Sequence, residues 1–272
     1  MGVAARMVRW LGVQATRKLA PRVRRYVAPV LPHLLTPVAL GAGLSAGAFV
    51  FFLRIADDIR EQNGVWRFDH DGLRLGLRLR TPRRTTLMHA ASALARPDVM
   101  TVLGLFGILA AWRLPRYRAP GILLATTLTG GGLIIGGIKH RFARERPSVI
   151  EALASEGTFS FPSGHAFIAL CFYGTLAFWW ARSRRDWFRR AVIGLAATKG
   201  ILLIGASRVY LGVHYPSDVL AGYATAVPWL TACLTAYSTY ERRLAPLLDA
   251  PQATFVAGAA PAAQATFAPP TE

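Results

Sequence analysis

Residues 161–180 read FPSGHAFIALCFYGTLAFWW. A polar turn, Pro162-Ser163-Gly164-His165, runs without a linker into an uncharged stretch from Ala166 to Trp180. Crossing the hydrocarbon core takes ~20 mostly apolar helical residues, fewer where the ends are amphipathic. The stretch therefore reads as a membrane-spanning helix with chemistry-bearing residues at one end. Similar apolar runs lie near Leu34–Leu53, Asp98–Trp112, Ala119–Gly137, Ala191–Ala206 and Val219–Tyr237. The second is short and has a possible backward extension through Met88–Ala95. Five glycines in the third, Gly130, Gly131, Gly132, Gly136 and Gly137, suit close helix packing in lipid. The fold predicted is all-α: a polytopic membrane helical bundle of about six transmembrane helices over residues 34–240.

Composition supports this. The 272 residues are 53% hydrophobic yet carry a formal charge of +18, a pairing seldom met in a soluble domain. The excess arginine clusters between apolar runs, as at Arg22, Arg24 and Arg25 or Arg182, Arg184, Arg185, Arg189 and Arg190. That is the flank pattern of membrane spans, not the continuous basic stripe of a nucleic-acid surface. No nucleic-acid partner is expected. Lys and Arg in the N-terminal segment, at Arg113, Arg116 and Arg118, in the Arg182–Arg190 cluster and at Arg242 and Arg243 share one side if the spans are even in number. The positive-inside rule makes that side cytoplasmic, with both termini. The chain is then a multi-pass protein of the cell (inner) membrane. Arg54–Arg96 reads as a long arginine-rich loop on the opposite side, diluted by Asp57, Asp58, Glu61, Asp69 and Asp71.

Residues 1–33 form a basic N-terminal segment. Met7, Trp10, Leu11 and Ala15 fall on one helical arc, so an interfacial helix and a plain basic tail are both open readings. The first apolar run reads as a retained anchor, because its small residues Ser45–Ala48 sit inside it and not after it. Residues 241–272 are Ala/Pro-rich low complexity, expected to be disordered. Cys171 and Cys233 lie in apolar runs at different expected depths and read as packed small hydrophobes.

Three polar clusters lie between spans: Lys139–Pro147, Phe161–His165 and Ser207–Asp218. They contain K-x6-RP, PSGH and SR-x5-H-x3-D, in that order. Over roughly Lys139–Gly222 the chain resembles the type 2 phosphatidic acid phosphatases. That superfamily also includes bacterial undecaprenyl-diphosphate phosphatases, glucose-6-phosphatase and vanadium haloperoxidases. The resemblance implies a membrane lipid phosphatase acting on a phospholipid or polyprenyl (di)phosphate, with its site on the extracytoplasmic face. It assigns the nucleophile to His214, through a phosphohistidine.

The residue types suit that chemistry. A phosphoryl group in transit carries charge on its non-bridging oxygens and needs fixed donors around them. Lys139, Arg146 and Arg208 are candidate phosphate-binding cations; Ser163 and the backbone N–H of Gly164 add neutral donors at a helix start. Asp218 follows His214 by four residues, meeting on one face if helical, and would orient the imidazole. His165 would protonate the leaving oxygen and later activate water. Nothing has metal-ligand spacing, so no metal or other cofactor is expected. Arg144 has an alternative place at the phosphate mouth, while His33, His70, His89 and His140 read as solvated or packing residues. Lys199, about 13 Å by helical rise from Arg190 and Arg208, falls near mid-bilayer, where bonding to carbonyls or hydroxyls within the bundle is one reading. Two other function classes fit less well: a haloperoxidase, typically soluble, and a non-catalytic lipid-binding or transport protein, which would be expected to have lost a catalytic residue.

Overall fold

Pro82 and Pro97 each open a helix, where the missing N–H costs nothing because first-turn donors have no intrahelical partner. These two helices and six others make up the computed structural model, which describes residues 37–61, 65–114 and 117–241. They are α1 Pro37–Glu61, α2 Val65–Arg78, α3 Pro82–Ala93, α4 Pro97–Arg113, α5 Arg118–Phe142, α6 Gly164–Arg182, α7 Trp187–Tyr210 and α8 Pro216–Thr239. The basic segment 1–33 and the tail beyond residue 241 lie outside the described residues. The chain separates into two units after Tyr237, and the bundle is the first.

Among the described residues, six segments are long and apolar enough to cross a membrane: Ala39–Glu61, Pro82–Arg113, Arg118–Phe142, Gly164–Arg182, Trp187–Tyr210 and Pro216–Thr239. The short second run does extend backwards, through α3. The other boundary differences share a cause. α1 continues past Leu53 to Glu61, and Arg54–Arg96 is not a loop but the end of α1, then α2 and α3. Charge had masked helical periodicity there: on α2, Asp69, Leu73 and Gly76 lie on one face and are buried. That face docks closely, with Gly72 opposite Pro216 and Gly76 opposite the Tyr210 backbone.

Hydrocarbon cannot solvate a polar group, so several hydroxyls in the spans bond within their own helix. Ser45, Thr127, Thr175, Thr198 and Thr225 each donate to the carbonyl four residues earlier. Trp229 Nε1 on α8 donates across to the Thr127 carbonyl on α5 at 2.9 Å. Lys199 does not point into the bundle; it lies on the exposed face of α7, and nothing in the structure explains a cation there. Both cysteines are free and buried, in separate apolar clusters.

Of the six α5 glycines, Gly121, Gly130 and Gly131 serve close packing: an added Cβ would meet Ala111 at 2.2 Å, Trp229 at 2.4 Å and Phe167 at 2.5 Å respectively. Gly132, Gly136 and Gly137 face nothing within 4 Å. The closest approach to backbone is at Gly222, where an added Cβ would lie 2.5 Å from the Ser163 carbonyl oxygen. Backbone cannot swing aside as a side chain can. Gly222→Ala should therefore cost about 1–3 kcal/mol by forcing α6 and α8 apart, read as a lowered Tm in detergent. Gly132→Ala, with open space, should leave Tm unchanged or raise it; equal losses in the two variants would contradict this packing.

Candidate active site

Two connections, α5 to α6 and α7 to α8, deliver the polar residues to one end of the bundle. α5 ends at Ala143, whose φ of 48° is left-handed and whose N–H bonds the Lys139 carbonyl. This reversal sends Arg144 and Arg146 into the segment leading to α6. Ser163 caps α6, its hydroxyl oxygen accepting from Ala166 N. Gly212, at φ 76°, turns the chain between α7 and α8, and Pro216 opens α8 as expected for a first-turn residue.

His214 lies in the turn before α8 and is 1% exposed, so the His214–Asp218 pair does not share a helix as the spacing suggested. A cap makes the pair instead. Asp218, in the first turn of α8, reaches back so that its Oδ2 accepts from Tyr215 N at 2.9 Å and faces His214 Nδ1 at 3.4 Å. Arg146 Nη1 lies 3.3 Å from His214 Nε2. A guanidinium can only donate and a carboxylate only accept. The two neighbours thus select one tautomer, with the proton on Nδ1 toward Asp218 and the lone pair on Nε2. Burial pushes the imidazole down to about 4, although the Asp218 bond and charge pull the other way.

The remaining expected residues join this pair through short contacts. Arg146 is braced by the carbonyls of Val213 at 2.6 Å and Thr158 at 2.7 Å. Arg208, at 2% exposure, donates to Ser92 on α3 and to Glu156, and its Nε is buried without a partner. Glu156 also lies 3.9 Å from Arg146 and 4.0 Å from His165 Nδ1. Lys139 Nζ donates to the Phe159 carbonyl, and an added Cβ on Gly164 would sit 3.8 Å from its Cε. Lys139, Arg146, Ser163, Gly164, His165, Arg208, His214 and Asp218 therefore all gather at one site. Among the described residues, no group of three or more His, Cys, Asp or Glu side chains is placed to hold a metal ion.

Arg144 is taken up by a pair of acids. It bridges two carboxylates, with Nη1 2.6 Å from Asp218 Oδ1 and Nη2 2.8 Å from Asp69 Oδ2. Burial alone would lower its pKa, but the two acids hold it above the usual value. Asp69, Ser92 and Glu156 were not singled out by the sequence. None lies in a recognisable motif, and each reaches the site only through tertiary packing.

Residues 120–242 match the family model of the PAP2 superfamily. Over these residues the chain is similar to that superfamily. It is 29% identical over 187 residues to phosphatidylglycerophosphatase B of Bacillus subtilis (strain 168), covering 65% of this chain and 86% of the relative. It is 29% identical over 166 residues to YbjG of Escherichia coli (strain K12), provisionally named an undecaprenyl-diphosphatase, covering 59% of this chain and 78% of that one. A crystal structure of a transmembrane PAP2-type phosphatidylglycerolphosphate phosphatase from Bacillus subtilis superposes with a TM-score of 0.66 at 25% identity, covering 73% of this chain and 98% of that one. The chain is thus a multi-pass membrane enzyme of the phosphate-ester hydrolase class.

A histidine with an ordinary pKa near 6.5 is mostly protonated at about pH 6. The buried His214 should still be neutral there, keeping its Nε2 lone pair. Heteronuclear NMR of histidine-labelled protein in detergent, with His214→Asn to assign the signal, reads this directly. A His214 imidazole titrating near 6.5 would contradict the buried, Arg-flanked environment.

Proposed function

We propose that this membrane enzyme removes a terminal phosphate from a lipid phosphate or lipid diphosphate by way of a phosphohistidine on His214, without a metal. The observation that carries the reading is the 3.3 Å approach of Arg146 Nη1 to the buried His214 Nε2, beside Lys139, Arg208 and the start of α6. The Nε2 lone pair attacks phosphorus, the N–P bond forms, and the P–O bond to the lipid breaks in line. His165 passes a proton to the departing oxygen, and the Nδ1 proton stays hydrogen-bonded to Asp218. In the second half, His165 takes a proton from water as the water oxygen attacks phosphorus. The N–P bond breaks, its electron pair returns to Nε2, and phosphate leaves.

Lys139, Arg146 and Arg208 hold the non-bridging oxygens, with the Ser163 hydroxyl and the Gly164 N–H at the start of α6. The unpartnered Arg208 Nε is a donor that a phosphate oxygen would satisfy. The names of the relatives support a lipid substrate, and undecaprenyl diphosphate, phosphatidate and phosphatidylglycerophosphate all present a terminal phosphate to such a cradle. The arginine clusters at Arg113–Arg118 and Arg182–Arg190 flank the opposite ends of the spans. By the positive-inside rule the site is then extracytoplasmic and the termini cytoplasmic.

Purified protein should release phosphate from at least one of these three lipids, with turnover unchanged by EDTA. It should also acquire an acid-labile, base-stable radiolabel from substrate labelled in the terminal phosphate. His214→Ala should lose both label and turnover by at least a hundredfold. Parent-like turnover in His214→Ala, or loss with EDTA, would reject the nucleophile or the metal-free chemistry respectively.

Glu156 sets a second expectation. Its carboxylate holds Arg208 and approaches Arg146, so an entering phosphate competes with it for the same cations. Glu156→Gln should lower the inhibition constant of inorganic phosphate several-fold. An unchanged or higher constant would mean that Glu156 braces the cations and does not compete for them.

A further inference from the structure

The buried polar network behind His214 extends beyond the three motifs to α2. Asp69, at 1% exposure, accepts from Ser217 N at 2.8 Å, from Ser217 Oγ at 2.7 Å and from Arg144 Nη2 at 2.8 Å. The same guanidinium donates through Nη1 to Asp218 Oδ1 at 2.6 Å and to Ser217 Oγ at 2.8 Å. Its plane rests over the Tyr215 ring, with Cζ 4.1 Å from the ring centroid. The two oxygens of Asp218 therefore face different tasks: Oδ1 takes the arginine, while Oδ2 takes Tyr215 N and His214 Nδ1.

We propose that Asp69 is a positioning residue for the nucleophile: it anchors Arg144 on the outer oxygen of Asp218, and so fixes the inner oxygen against His214. This rests on His214 being the nucleophile.

A carboxylate with one oxygen unheld can rotate about its Cβ–Cγ bond, and the imidazole it orients then turns with it. A guanidinium held by two carboxylates at 2.6 and 2.8 Å and stacked on an aromatic ring has little freedom to follow. Without Asp69, Arg144 keeps only one acid and lies close to a cluster that binds phosphate. Its charge would then be free to drift toward substrate. Misplacing a reacting group by about 1 Å can cost about a hundredfold in rate. A salt bridge serving only to dock α2 could end on any surface acid; this one ends on the carboxylate that orients the imidazole.

The test uses full-length protein in detergent and phosphate release from dioctanoyl phosphatidate, comparing Asp69→Asn, Asp218→Asn and the double variant. Asp69→Asn should lower kcat about tenfold with KM within about twofold, and the double variant should be no slower than Asp218→Asn alone. A kcat for Asp69→Asn within about twofold of the parent would overturn the proposal, and so would losses that multiply in the double variant. Should Asp69→Asn fail to fold, Arg144→Gln carries the same comparison: reduced kcat and no added loss on Asp218→Asn support the clamp, and parent-like kcat rejects it. His214→Ala separates the two layers. If it retains turnover, the nucleophile assignment fails; if it is inactive while the Asp69 variant behaves as the parent, only the clamp fails.

Discussion

Hydrocarbon cannot hold a bare charge or an unpaired backbone group at reasonable cost, and this constraint organises the molecule. Each span must hand its polar groups to a rim. α5 delivers Lys139 at its end, α6 begins with Ser163-Gly164-His165, α7 ends with Arg208, and α8 begins just after His214. Helix starts bring unpaired N–H donors with them, so the places where charge is tolerated are also the places where an anion is welcome. The polar cluster thus sits where membrane physics permits polarity.

Concentrating cations creates its own difficulty, because like charges repel and buried ones lose hydration. The structure answers with two separate acid systems. Glu156 serves one side, touching Arg208 and approaching Arg146 and His165. Asp69 and Asp218 serve the rear, where Arg144 joins them. His214 stands between the two systems, with Arg146 on one ring nitrogen and Asp218 on the other. Its tautomer and its neutrality follow from that placement and from burial.

Much of this was legible in the sequence because it depends on local order. Six long apolar runs, a Pro at a helix start and eight site residues in three short motifs are all local signals. What stayed hidden depends on packing between distant segments. Asp69 looked like one of several acids diluting a basic loop, and only the docking of α2 makes it a buried partner of Arg144. Glu156 and Ser92 carry no spacing that would mark them. The pairing of His214 with Asp218 was anticipated for the wrong geometric reason: the spacing suggested one helical face, whereas a turn and a first-turn side chain reaching back achieve the contact. Lys199 shows the opposite limit, since the residue is conspicuous in sequence and the fold gives it no partner that accounts for it.

The central claim is that His214 Nε2 faces the position a phosphoryl group occupies. A structure of the protein with orthovanadate, which takes the geometry of that group in flight, tests it most directly. The account predicts vanadium bonded to His214 Nε2, its oxygens held by Lys139, Arg146, Arg208 and the start of α6, and Glu156 drawn aside. Vanadate bound elsewhere, or bound in this cluster with the His214 ring turned away from it, would contradict the account.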